Sequence, residues 1–450
     1  MYGITSPRLR LSKMRSALAL VIGTSALLAA FAPTADAHIK AGTTSLVSKG
    51  ARSYNPDISA SGQFITYQSD SPDIAIGDNN GTTDIFLADT ESGATTLISK
   101  GTNGGAANDA SFDPSISADG RFVAFSSMAD DIAGGDNNGL RDVFLHDTQS
   151  GTTTLISNRT DGTASNGSSS DPAISADGRF VAYDSDANNL VGGDNNGTFD
   201  VFLFDTQART TTLVSSGANG TIGDGNSLEA SISADGSYVA FHSGATNLVA
   251  NDLNNSADIF RKQITGGAVT LISQTSQGIQ GDDGSFDQSI SADGRFVAFS
   301  SIAENLTDKN KGQSNVFLRD TQLGTTVLVN SGQPGSASFS PSVSADARFV
   351  SYDTSQTSES DSTDGSSSGY KIYVADTASG NTRKVGAGDS DSFTPALSAD
   401  ARYVTFYSFA SNIVQGDSNG QPDVFVRSLD APPTAAFSVS PTTIRRSEEH

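Results

Sequence analysis

Seven imperfect copies of one pattern run through this sequence. They predict an all-β fold, a seven-bladed β-propeller of four-stranded blades closed by its N-terminal strand. Three observations carry that prediction. A motif typified by "DPSISADGRFVAFSS" at Asp113 recurs with its first aromatic at Phe64, Phe122, Phe180, Tyr238, Phe296, Phe349 and Tyr403, spaced by 58 residues four times and then by 53 and 54. A fixed period of this length marks a repeat architecture. Each copy holds four short strand signals separated by Gly, Asn and Asp. Finally, Phe122–Phe125 is apolar on both faces, which suits a sheet packed between two similar sheets better than an open sheet with one wet face.

The elements follow in chain order. Arg8, Arg10, Lys13 and Arg15 precede an apolar run from Ser16, and Ala35-Asp36-Ala37 is a small-residue cleavage site. Residues 1–37 therefore read as a secretory signal peptide. The run is interrupted by Thr24, Ser25 and Pro33 and is short for a membrane span. The expected location is secreted, periplasmic or at the cell surface. Within a repeat, strand A ("PSIS") leads through an Ala-Asp-Gly turn to strand B ("RFVAFSS"). Strand C ("DVFLHDT") and strand D ("TTLIS") come next. The seventh repeat has A, B and C, then meets Pro432-Pro433 without a D. "GTTSLVSKG" from Gly42 matches "GATTLISKG" from Gly93, so the N-terminal strand is expected to complete the last blade. The propeller is expected over residues 38–429. Residues 430–450 read as a linker and the truncated start of a further domain, because "APPTAAFSVSPTT" resembles the opening of a PKD-type domain. The natural chain is expected to continue past His450.

There is no cysteine, so an exported fold must be held by its core or by bound ions. The formal charge is -23, and removing the four bases and one acid of the signal takes it to about -26. That charge opposes binding to nucleic acid or anionic lipid. It favours cations and basic partners. A monomer is expected, free of the membrane after signal cleavage.

The pattern P-x-I-S-A-D-G-R-F-V-A-F resembles the repeat of TolB-like (WD40-like) β-propellers, which usually carry Pro-Asp-Gly where this chain has Ala-Asp-Gly. The resemblance covers nearly the whole mature chain and implies the fold. It implies little about function, since TolB itself has an α/β domain before its propeller and here the first blade strand follows the signal within a few residues.

In such a fold the A–B and C–D turns share one face, while the B–C loops and D–A crossings share the other. The second set is long and acidic, and long loops on a rigid scaffold are where binding usually sits. Its B–C member repeats as D-x-N-x-x-x-D at Asp78/Asn80/Asp84, Asp136/Asn138/Asp142, Asp194/Asn196/Asp200, Asp252/Asn254/Asp258 and Asp417/Asn419/Asp423. Repeat five alters it (Asp308, Asn310, Asn315), and repeat six loses it. Each loop looks like a calcium loop with two residues deleted. Calcium takes six to eight oxygens, so two carboxylates and an amide need backbone carbonyls, water or the neighbouring crossing loop. The competing reading is an Asx-turn that orders the loop. The opposite face carries Arg121, Arg179, Arg295, Arg348 and Arg402 after the tight turns, most simply as a salt-bridged edge. "GSSSG" at Gly365 sits in a low-complexity loop rather than a nucleophile elbow. His146 and His242 lie on different repeats. The acids follow the repeat and no unequal acid–base constellation stands out. The expectation is thus a non-catalytic binding or scaffold module for protein or polysaccharide, with calcium as the candidate cofactor. The alternatives are a propeller hydrolase or lyase, or the propeller part of a longer peptidase.

Overall fold

The computed structural model describes residues 39–48, 52–159, 162–309, 313–330, 336–356, 369–386, 388–417 and 419–429. The signal-peptide reading and the PKD-like segment lie outside them. No helix among the described residues is long and apolar enough to cross a membrane. The strands form seven four-stranded antiparallel sheets. Blade 2 is representative, with strand A at Ser111–Ile116, B at Phe122–Ser127, C at Asp142–Asp147 and D at Thr152–Leu155. In blade 7, A (Ser392–Leu397), B (Tyr403–Ser408) and C (Asp423–Ser428) are joined by Thr44–Leu46 as the fourth strand. Its register pairs Thr44 with Arg427 and Leu46 with Phe425. The ring closes as the repeat predicts.

The core lies between blades. Val123, Ala124 and Phe125 are fully buried. Val123 and Phe125 pack with Ile85 and Leu87 of blade 1, and Ala124 packs with Val181 and Tyr183 of blade 3. In every blade the strand B aromatic stacks on a strand C ring, from 5.6 Å for Phe299–Phe317 to 6.0 Å for Phe241–Phe260. Phe86, Phe144, Phe202 and Phe260 are therefore packing residues. Each fully buried ring of this kind stabilises by roughly 1.5–3 kcal/mol.

The tight turn is built from its own side chains. Ser117 Oγ donates to Asp119 Oδ1 at 2.7 Å, and the same carboxylate accepts the Arg121 N–H at 3.0 Å. Gly120 has φ 76°, and a Cβ there would stand 2.2 Å from Cδ2 of Phe64 in the preceding blade. Blades 6 and 7 carry Ala347 and Ala401 instead, at φ 57° and 54°. In blades 1 to 6 the alanine that opens the turn donates its N–H to the carbonyl of the equivalent alanine of the next blade. The series runs from Ala60→Ala118 to Ala345→Ala399 at 3.0–3.2 Å. A proline, which the resembling repeats carry here, has no N–H to give.

Candidate functional site

The B–C loops are locked by hydrogen bonds to the crossing loop of the same junction. In blade 1, Asn80 Oδ1 accepts the Thr82 N–H at 2.9 Å, while Asn80 Nδ2 donates at 2.8 Å to both Asp84 Oδ2 and the Ala107 carbonyl. Ser99 Oγ donates to Asp84 Oδ1 at 2.5 Å and accepts the Ile85 N–H. Asn138/Asp142, Asn196/Asp200 and Asn254/Asp258 repeat this frame with Ser165, Gly223 and Gly281 as the accepting carbonyls. In blade 7 Asn419 donates to Asp423, whose serine partner is Ser48, supplied by the N-terminal segment at 2.6 Å. The Asx-turn reading thus accounts for the five asparagines: each amide is spent on the loop. The strand C acids Asp84, Asp142, Asp200, Asp258 and Asp423 are fully buried. Burial pushes Asp84, Asp200 and Asp258 up to about 6.

The first acid of each loop is placed differently. Asp78, Asp136, Asp194 and Asp417 are 7–9% exposed, and no hydrogen bond reaches either carboxylate oxygen of Asp78, Asp136 or Asp417. The backbone N–H groups of Asn80, Asn138 and Asn419 favour the charged form and offset the burial only in part. Burial, followed by the charge of Asp142, pushes Asp136 up to about 6. Asp252 alone has a side-chain donor, Gln280 Nε2 at 2.7 Å. Among the described residues no three His, Cys, Asp or Glu side chains converge as a metal group.

On the opposite face the arginines form an edge. Arg121, Arg179 and Arg295 bridge to Asp147, Asp205 and Asp320 of their own blades at 2.5–2.7 Å. Each lies over the ring of the following residue at 4.6 Å.

The structure also contains a constellation that the sequence reading missed. In every blade strand A carries a bulge, in blade 2 between Phe112 and Ser115. Its first residue is left-handed, with φ between 45° and 54° at Asn55, Asp113, Asp171, Glu229, Asp287, Ser340 and Thr394. These seven residues and those following them line a cavity of about 400 Å³ on the central channel. The bulge is repeated, but the acids are not. They occupy blades 2 to 5 only, as Asp113, Asp171, Glu229 and Asp287, which corrects the expectation that the acids follow the repeat. The seven copies of the motif already differ at this letter, reading N, D, D, E, D, S and T in order. A two-residue alternation, however, does not reveal which letter a bulge turns toward the channel.

The acidic arc is compensated only in part. Arg141 Nη2 donates to Asp113 Oδ2 at 2.5 Å. Burial and the charge of Asp113 push Asp171 up to about 6. Asp184, 1% exposed on strand B beside it, is pushed well up by burial and by Asp171. His242 Nδ1 lies 3.5 Å from Glu229 Oε2. Burial and Glu229 raise Asp287. In the remaining blades the cavity is lined by neutral bulge residues and prolines, and rings stand beside them. Phe339, Phe393 and Tyr54 precede the neutral bulge residues of blades 6, 7 and 1, on the loop side. They join Tyr370 and Tyr407 in a run of ring contacts at 5.1–6.3 Å. Phe409, 44% exposed, stands against Phe393 and Tyr407.

No family model matches the chain, and no curated protein sequence matches it significantly. Solved structures do share the fold. An oligogalacturonate lyase from Vibrio parahaemolyticus is 13% identical, with a TM-score of 0.52 over 88% of this chain and 94% of that one. The β-propeller domain of the Trilobed protease from Pyrococcus furiosus, whose structure reveals an open velcro topology, is 10% identical, with a TM-score of 0.52 over 84% and 96%. TolB from Acinetobacter baumannii is 18% identical, with a TM-score of 0.44 over 75% of this chain and 66% of that one, just under two thirds of its length. At these identities the likeness is one of fold, a seven-bladed β-propeller with TolB among its structural neighbours.

Proposed function

We propose that the protein is an exported binding module that takes a basic segment of a protein partner into the acidic arc of its channel from the loop face. The observation that carries this reading is the acid on four consecutive channel-lining bulges, Asp113, Asp171, Glu229 and Asp287, against one arginine. Uncompensated carboxylates in a cavity of this size, within the usual range for ligand pockets, suit an ammonium or guanidinium group. The run of rings on blades 6, 7 and 1 gives an apolar wall for the rest of the segment. Charge of one sign in a concave site also steers a cationic partner.

The test is a titration with lysine- and arginine-rich peptides, and in parallel with neutral and acidic oligosaccharides. Asp171→Asn combined with Glu229→Gln should weaken peptide binding at least tenfold, by order of magnitude for loss of two charges. A control pair on exposed loop acids, Asp73→Asn with Glu304→Gln, should not. Equal binding by both pairs, or tighter binding of an oligosaccharide than of any peptide, sinks the proposal. A second reading rests on Asp171 and Asp184, carboxyls with raised pKa beside Glu229 and His242, which is an arrangement fit for acid–base catalysis. It predicts turnover of a peptide or glycan that Asp184→Asn abolishes while binding persists.

A further inference from the structure

The five D-x-N-x-x-x-D loops and their two degenerate copies meet one physical problem in different ways. Two acids are buried at a junction where a B–C loop meets a crossing loop, and a buried charge without a partner is costly. Blade 4 places a donor between them: Gln280 Nε2 bonds Asp252 Oδ1 and Asp258 Oδ2, both at 2.7 Å. Blade 5 drops the charge. Asn315 replaces the strand C acid, and Asn330 Nδ2 donates to it at 3.1 Å. Blade 6 brings its own cation. Lys371 pairs with Thr354 as Asp84 pairs with Ser69, and is fully buried. Its ammonium bonds the carbonyls of Gly388 at 3.0 Å and Ser390 at 2.5 Å. Gly388 stands four residues before the first strand A serine of blade 7, as Ala107 stands before Ser111.

Among the described residues, blades 1, 2 and 7 have none of these devices. Gln280 pairs with Gln274 in an isolated bridge that Ala106 makes with Lys100 and Ala164 makes with Asn158. In blades 1 and 2, then, the bridging amide is a methyl group. Asp78, Asp136 and Asp417 are more than nine-tenths buried, and neither oxygen of each finds a donor. We infer that each of these three loops binds a divalent cation of the calcium class, held by the paired carboxylates Asp78/Asp84, Asp136/Asp142 and Asp417/Asp423 at the place where blade 4 puts an amide and blade 6 an ammonium. Backbone carbonyls and water complete the oxygen set, as calcium sites allow. Blade 3 carries the same side chains, with Ile222 at the Gln280 place, but its Asp194 is not among the acids whose two oxygens are both buried without a donor, so the inference covers blades 1, 2 and 7. The inference is independent of the channel proposal, because these junctions lie outside the cavity lining.

The experiment titrates the purified, chelator-treated protein with calcium by calorimetry, with magnesium and sodium in parallel. Melting is followed in calcium and in chelator. Saturable binding of at least three calcium ions and a rise in melting temperature are expected. Ala106→Gln combined with Ala164→Gln should lower the stoichiometry by two, and Gln280→Ala should raise it by one. Should the glutamine variants fail to fold, Asp78→Asn with Asp136→Asn and Asp417→Asn serves instead. It should melt higher than the parent in chelator and lose three calcium ions. Absence of any calcium effect on melting at millimolar concentration overturns the inference. So does a stoichiometry unmoved by these substitutions, or an equal effect from sodium.

Discussion

Exchanging glycine and alanine at the third position of the tight turn should change stability very unequally in different blades. Gly178 has φ 72°, and a Cβ built on it lies 2.2 Å from Cδ2 and 2.6 Å from Cγ of Phe122. Gly178→Ala therefore meets two costs. The left-handed backbone costs alanine about 1–2 kcal/mol. The Phe122 ring must also shift by about 1 Å to restore van der Waals contact, and such overpacking costs roughly 1–3 kcal/mol. The lower entropy of the unfolded alanine chain returns about 0.4–1 kcal/mol. The net expectation is a loss of about 2–3 kcal/mol. Ala347 and Ala401 already sit in this conformation, at φ 57° and 54°. Ala347→Gly releases about 1–2 kcal/mol of left-handed strain but gives up the entropy, about 0.4–1 kcal/mol, and a buried methyl, about 0.8 kcal/mol. The net change should lie within about 1 kcal/mol of zero, and Ala401→Gly the same. The assay is the urea midpoint at unchanged slope. If Ala347→Gly destabilises as much as Gly178→Ala, neither the left-handed strain nor the ring contact governs this turn.

Three further outcomes can be checked. In chelator, stability should fall as pH rises through the window from about 4 to 6. Asp84, Asp200 and Asp258 are raised to about 6 from an ordinary 3.8, so the folded state holds more protons there than the unfolded one. A melting temperature that rises with pH over this window contradicts the assignment. Ser48→Ala removes the hydroxyl that donates to Asp423 and accepts the Val424 N–H. It should cost about 1–3 kcal/mol and speed amide exchange first in Asp423–Ser428. Arg179→Ala breaks an exposed bridge to Asp205 and should cost no more than about 1 kcal/mol, part of it lost stacking on Phe180. A loss several times larger would mean that the arginine edge is structural.

The fold was legible because repetition made it so. The copy of "GATTLISKG" near the N-terminus named the closing strand, and the two-sided apolar character of Phe122–Phe125 named the packing. The loop motif was found, but its chemistry was only half visible. Nothing in D-x-N-x-x-x-D says that Ser99, fifteen residues beyond Asp84, saturates one carboxylate oxygen, or that the Asn80 amide faces the acid with its nitrogen. The channel arc was in plain sight as the first letter of each copy of the repeated motif. It stayed unread because a bulge breaks the alternation on which facing is judged. His242 and Glu229 are thirteen residues apart in sequence and meet only through cross-strand pairing of A with B.

The closure has a mechanical consequence. Thr44 pairs with Arg427 and Leu46 with Phe425, so the two strands are antiparallel and the outward chain ends leave from the same end of the pair. A pull between those ends loads the three residue pairs one after another, as an unzipping, rather than all together, as a shear. The neighbouring seam holds more: Ile58, Ile65 and Tyr67 of blade 1 pack with Tyr403, Val424 and Val426 of blade 7. The alanine series of the turns runs only from Ala60 to Ala399, and among the described residues no such bond from Ala399 returns to Ala60. Tension should therefore peel the closing strand from blade 7 at low force and in one short event. The apolar seam between blades 7 and 1 would stay shut, so the ring holds and the strand can pair again when the load is released.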